Sequence, residues 1–334
     1  MRRFLPILFF TIAFSSTLQS QRFEWLAGFD GFLDNREYYS IHIPQTMFGS
    51  RFRAEVGGSI DDVHRLRAGI NYLYEFGTEI DAHKPNLTLY YEFQNHGVRL
   101  FTGAFPRREL LRFPMALLSD TLHYYRPNIE GLYAGYSWNW GSQNAFLDWT
   151  SRQTDTIHER FMVGTSGKFF FGDFFLSNYF LMSHFAGAAI NDPDHSIRDN
   201  MGYNVDAGVD LSGKTFLDSL CLSVGILGSF DRIRAEGDDW HSPVGFLGQA
   251  TFLYKFAGIS ATYYAGEGQT LLYGDPFYRL DRYGRLDLLL IPFRSGPVKM
   301  KIDMGFHFAG GQVDYSQQLW LTFDLDGTVP PKPD

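Results

Sequence analysis

Polar and apolar side chains alternate through some sixteen segments that fill the chain from residue 22 to residue 325. Between Val298 and Phe308, the residues Val298, Met300, Ile302, Met304, Phe306 and Phe308 are apolar. Lys299, Lys301, Asp303, Gly305 and His307 between them are polar or lack a side chain. Extended backbone sends successive side chains to opposite faces, so one face meets an apolar phase and the other meets water. The last segment repeats the pattern, with Leu319, Leu321, Phe323 and Leu325 set against Gln318, Trp320, Thr322 and Asp324. Segments of roughly ten residues, evenly spaced from end to end, predict an all-β fold: a closed antiparallel transmembrane barrel. Backbone groups in lipid must be satisfied internally, and amphipathic strands do that only by closing.

The N-terminus points the same way. Arg2 and Arg3 precede an apolar run from Phe4 to Phe14, and a polar stretch from Ser15 to Ser20 follows. The run is about half the ~20 residues a membrane helix needs. It reads as a signal peptide over 1–20, cut before Gln21. No cysteine stands at the cut, which argues against a lipid anchor. A barrel over 21–325 and a short disordered periplasmic tail over 326–334, with Pro330, Pro331 and Pro333, complete the expected organisation. The 33 Phe, 19 Tyr and 34 Gly suit lipid-facing strands and tight turns. The single Cys221 allows no internal disulfide. Of 29 basic side chains two lie in the leader, and 37 acidic ones oppose the rest, which speaks against nucleic acid as a partner.

Strands are expected near 22–32, 46–58, 64–77, 86–95, 97–105, 129–140, 143–153, 158–171, 174–186, 199–212, 218–231, 243–256, 258–266, 277–292, 298–309 and 314–325. An even number keeps both chain ends on the periplasmic side. Short turns such as Asn95-His96-Gly97, Gly172-Asp173 and Ser295-Gly296-Pro297 alternate with longer outer loops. Phe93, Trp138, Trp140, Phe169, Phe171, Tyr254, Phe256 and Phe293 flank the short turns, as an interfacial girdle would. Two places fit badly. The segment 174–186 alternates poorly, and lipid-facing parity near 277–292 exposes Arg282, which calls for the outer rim or a bulge.

By leader, strand count and loop order the chain resembles Gram-negative outer-membrane porins of sixteen strands, and Gln21 directly after Ser20 is similar to Bacteroidota-type secreted proteins. The resemblance is architectural. It implies the cell outer membrane, contact with its lipid and lipopolysaccharide, and a homotrimer as the assembly. It also implies that the loop after the fifth strand, 106–128, folds inward and narrows the lumen. That loop carries Arg107, Arg108, Glu109, Arg112, Asp120 and Arg126 beside an apolar set of Leu110, Leu111, Phe113, Met115, Leu117 and Leu118.

Parity turns Arg51, Arg53, Arg65, Arg67, Arg99, Arg285, Asp287, Lys299, Lys301 and Asp303 inward, because ionised groups are costly against lipid. Either they line a water-filled channel or they pair across a plugged interior. The expected function is passive diffusion of small polar solutes or ions. The alternative is a non-conducting barrel that serves surface polysaccharide or a secretion complex as receptor or partner. No enzymatic role, metal or cofactor is expected. His42, His83, His123, His158, His195 and His241 fall in outer loops, and the groups Asp192, Asp194, His195 and Asp238, Asp239, His241 read as solvated loop.

Overall fold

The computed structural model describes residues 21–79, 84–108, 110–186 and 196–329. The expected signal peptide and Glu109 lie outside the described residues. The strands are β1 (Gln21–Glu37), β2 (Gln45–Ile60), β3 (His64–Glu75), β4 (Asn86–Asn95), β5 (Val98–Pro106), β6 (Asn128–Trp138), β7 (Gly141–Ser151) and β8 (Arg160–Phe171). They continue as β9 (Phe174–Phe185), β10 (Arg198–Asp210), β11 (Ser219–Ile233), β12 (Val244–Tyr254), β13 (Ala257–Gly266), β14 (Arg282–Ser295), β15 (Val298–Ala309) and β16 (Gln312–Val329). Each pairs antiparallel with its sequence neighbours, and β1 pairs with β16 to close the barrel.

The period-two reading carries straight into burial. On β2, Met47, Arg51 and Glu55 are buried while Phe48, Phe52 and Val56 are exposed on the outer wall. On β15, His307 and Ala309 are buried and Met304 and Phe308 are exposed. At the end that holds both chain termini, Trp138 lies 5.1 Å from Trp140, which lies 5.9 Å from Phe169. Amphipathic rings favour that headgroup level.

Two boundaries differ from the sequence reading. β16 runs to Val329, past the expected start of the tail at 326, because β1 begins at Gln21 and offers partners: Leu26 faces Asp326 and Glu24 faces Thr328. β14 starts at Arg282, not at 277. The preceding residues form a 3-10 turn, Pro276–Arg279, in which the Asp275 side chain accepts from the Phe277 backbone N–H. Pro276 has no N–H to give a ladder, so the chain turns instead. Arg282 stands exposed at the outer end of its strand, and a register shift between Leu290 and Phe293 lies further down.

The outer half of the lumen is filled. The loops 38–44, 107–127 and 267–281 fold into it and pack on the inward side chains of nearly every strand. Tyr38, Leu117, Leu271, Phe277 and Tyr278 meet Leu227, Leu247, Tyr264 and Tyr283 of the wall. Leu111, Leu118 and Leu122 meet Tyr90, Phe101, Phe146, Met162 and Leu181 on the other side. Phe113 bridges the two groups, 5.9 Å from Phe146 and 5.7 Å from Tyr179. Glycine permits the closest approaches: a Cβ at Gly202 would strike Leu271 and Leu117, and one at Gly274 would strike the Ala116 carbonyl. Fully burying a side chain such as Leu117 or Phe277 contributes about 1.5–3 kcal/mol, so the plug is a core in its own right.

Candidate active site

Against the plug and below it, toward the periplasm, the inward charges stand in pairs. Arg65 and Arg67 reach Glu24 at 3.3 and 2.5 Å, and Arg99 reaches Glu92 at 2.9 Å. Arg53 lies 2.7 Å from Asp324 and 3.4 Å from Asp30. Arg285 bonds Asp287 at 2.7 Å, and Lys301 meets Asp303 at 3.0 Å. Arg51 donates to the carbonyls of His123 and Tyr124, while Lys299 is exposed near the periplasmic turn. Glu24, which takes two of the arginines, lies inside the expected first strand 22–32 but was not among the residues read as inward-facing.

The loop residues expected at a constriction are tied to the wall. Arg107 is fully buried against Asp148, Arg108 reaches Asp30 at 3.0 Å, and Asp120 meets Arg36 at 2.8 Å. Arg126 donates to the Thr150 carbonyl at 3.4 Å, and Arg112 is exposed. The plug is dry enough to move pKa values. Burial pushes the Asp275 carboxyl up against the pull of Arg285, and burial draws the His123 imidazole down.

Two histidines stand out. His307, on the lumen side of β15, has Nε2 3.1 Å from the Ser316 hydroxyl and Nδ1 2.7 Å from the Tyr283 hydroxyl. The serine distance is that of a nucleophile and its base. Phe277 and Tyr38 roof the imidazole, each with ring centroids 4.7 Å away, and His307 is 0 % exposed.

His184 lies on the opposite face of the wall. It is the next-to-last residue of β9, directly opposite Asp199 of β10, which is in turn opposite Arg232 of β11. Their chain neighbours Ser183 and Asn200 are buried on the lumen side, where Asn200 donates to the carbonyl of Thr270 in the plug. Alternation therefore turns His184, Asp199 and Arg232 toward lipid at the outer rim. Asp199 lies 2.8 Å from His184 Nδ1, 2.9 Å from Arg232 and 3.0 Å from Arg234 Nε.

Aromatic rings frame this cluster. Phe161 packs on His184 at 5.1 Å and stacks on Trp149 at 5.2 Å, while Arg232 sits 4.4 Å over Trp240. Further down the same face Tyr203 stacks on Phe230 at 5.8 Å. A charged cap thus stands on an aromatic belt at the level where acyl chains meet headgroups. With Nδ1–H donating to Asp199, Nε2 carries the lone pair, and no hydrogen bond joins it to a described residue. One carboxylate among two guanidiniums leaves the patch positive and suited to an anionic group.

Sequence reasoning missed all four residues. The poor alternation of 174–186 was their trace, since a polar His184 occupies a lipid-facing position there. Asp199 and Arg232 do the same at the ends of their strands.

A closed sixteen-strand barrel with an apolar outer wall is an outer-membrane protein. More specifically, the chain belongs to the lipid A 3'-O-deacylase-type family, whose model matches residues 25–327. This corrects the expectation of no enzymatic role, because a deacylase-type family points to hydrolase activity. No curated protein matches the sequence. Among solved structures, the chain is similar to OmpT of Vibrio cholerae, an outer-membrane protein in its trimer form, with a TM-score of 0.57, 8% identity, and 92% of this chain and 100% of that one covered. It is similar also to the outer-membrane protein OpdK of Pseudomonas aeruginosa, with a TM-score of 0.51, 11% identity, and coverage of 91% and 99%. OccK3 of the same organism gives a TM-score of 0.51, 12% identity, and coverage of 91% and 96%. At such identities the likeness is one of fold.

Proposed function

We propose that this protein is an outer-membrane esterase that removes an O-linked acyl chain from lipid A in the outer leaflet. One observation carries the reading: a histidine–carboxylate pair flanked by two arginines sits on the lipid-facing side of the outer rim. Ionised groups on that face are costly, by ~2–4 kcal/mol for arginine at the bilayer midplane and less near the interface, so their presence asks for a function.

Asp199 holds the Nδ1–H of His184, which fixes the tautomer and leaves Nε2 as the base. No described serine, threonine or cysteine contacts His184, so the nucleophile is water. Nε2 takes a proton from water as its oxygen bonds to the ester carbonyl carbon. The carbonyl oxygen gains negative charge beside Arg232 and Arg234. Collapse breaks the bond to the sugar oxygen, and His184 returns the proton to that oxygen. The products are a free fatty acid and a sugar hydroxyl.

The reading of the chain as a passive-diffusion channel draws support from the architecture it shares with porins. Against it stands the apolar packing of three loops across the outer half of the lumen. Purified protein incubated with lipid A in mixed micelles, followed by mass spectrometry, tests the proposal. Loss of one ester-linked chain in the wild type, and none in His184→Ala, is expected. Release that continues undiminished in His184→Ala overturns it.

A further inference from the structure

The outer wall is not uniform around the barrel. On β10 to β15, away from the strand ends, every lipid-facing side chain is apolar or aromatic, as acyl chains require. The periplasmic half of β7 to β9 breaks that rule. Phe146, Ser166 and Ser177 of these strands are buried on the lumen side. Alternation therefore turns Gln143, Thr165 and Asn178 toward lipid.

The three side chains form one rung across three strands. Gly167 of β8 is the register partner of both Gln143 and Asn178, and the Gln143 carboxamide lies over it, where a Cβ would stand. Gln143 Nε2 donates to Asn178 Oδ1 at 3.3 Å and to Thr165 Oγ1 at 2.6 Å. Asn178 Nδ2 donates to Gln143 Oε1 at 3.2 Å, and the Thr165 hydroxyl donates to the Asn144 carbonyl. A carboxamide offers two N–H groups and two lone pairs on its oxygen. Among the described residues, one N–H of Asn178 and one lone pair on each amide oxygen are left without a partner. Hydrocarbon supplies none, so polar groups at this depth are costly against lipid alone.

We propose that this sector is the contact face of a homodimer, with a twofold axis beside Asn178. The remaining donor and acceptors make the rung complementary to a second copy of itself. After half a turn, the free Asn178 N–H of each copy meets an amide oxygen of the other, and a twofold makes such contacts in reciprocal pairs. Ala134 and Ala145, directly opposite each other, and Gly167 leave little between two approaching backbones, as protein contacts inside membranes favour. On one side of the axis Trp140 and Phe171 stand exposed. On the other, Ala207, Gly248, Ala250 and Ala261 floor a 680 Å³ furrow, so the same half-turn sets ridge against furrow. His184 lies farther up β9, about 20 Å from Asn178 at ~3.3 Å per residue. A strand tilt of ~40° carries it roughly 13 Å around the wall, which keeps it clear of the contact line.

Disulfide cross-linking of the full-length protein in outer membranes tests this, in a Cys221→Ser background. Ala145→Cys, beside the rung, is expected to give an oxidation-dependent species of twice the monomer mass. Ile302→Cys, on the lipid-facing side of β15, should give none. In neutral detergent, sedimentation equilibrium should show a dimer whose dissociation constant rises by about tenfold in Gln143→Leu/Asn178→Leu. Leucine suits lipid better than the native amides, and heat-modifiable gel migration confirms that the double variant is folded. A cross-link at neither position or at both alike, a cross-link to a different protein, a mass of three copies, or a dimer indifferent to the double substitution each overturns the inference. His184→Ala should dimerise as the wild type does, so this proposal and the hydrolase reading fail separately.

Discussion

His307 has a serine hydroxyl 3.1 Å from Nε2, whereas His184 has a carboxylate 2.8 Å from Nδ1 and, among the described residues, no partner at Nε2. Judged by distance alone, the lumen pair looks more like a nucleophile and base. Their surroundings reverse the judgement. His307 is clamped between aromatic rings from two inward loops, both of its nitrogens are engaged, and it is fully buried. It is a polar group satisfied inside a core. His184 stands on the lipid-facing side of the wall, where the proposed reading needs a base that an acyl chain in the membrane can reach. Access separates a site from a well-made hydrogen bond.

The strongest challenge to this contrast is paired substitution. His184→Ala should lower acyl release by on the order of 10³-fold, the scale of a general base. His307→Ala should leave the rate within a factor of a few and lower the unfolding midpoint instead. Rates measured on lipid A in micelles decide it, and the reverse pattern would move the site into the lumen.

Next in size is the plug. Leu117→Ala should destabilise the barrel by about 3 kcal/mol through the cavity it leaves, with hydrolysis unchanged. Urea unfolding in detergent, followed by gel migration, reads the first quantity; a parallel loss of rate would tie the plug to catalysis. Asp199→Asn keeps the shape but no longer selects the tautomer or stabilises the imidazolium, and should cost on the order of 10²-fold in kcat. Unaltered kcat would reduce Asp199 to an anchor for its arginines. The smallest effect is expected from Trp240→Ala, which removes a cation–π contact of about 0.5–1 kcal/mol from Arg232 and should raise KM a few-fold with kcat steady. A change in kcat alone would contradict that role.

The barrel was legible because its cause is local: a period of two repeats wherever one face meets lipid. The inward fold of 107–127 was legible too, since Leu110, Leu111, Leu117 and Leu118 cannot stay in water. The loop 267–281 was not, because Phe277, Arg279 and Asp281 imitate the start of a strand, and only the Asp275–Pro276 turn shows otherwise. The cluster on the lipid face was harder still. Its members stand near strand ends, where a polar residue is ordinary. Their meeting depends on the register of β9, β10 and β11, which depends on barrel closure.

The plug also bears on how the chain reaches its final state. Its three loops follow β1, β5 and β13, and their side chains touch walls contributed from both ends of the sequence. The contacts that span both ends of the sequence, such as Tyr124 with Phe32 and Trp320, cannot form in a half-built barrel, because one of those walls is not yet there. Contacts so distant along the chain are slow to form. The filled lumen therefore rewards completion: a chain that stalls before its last strands keeps a soft, wet interior, and only a fully zipped cylinder acquires a rigid one.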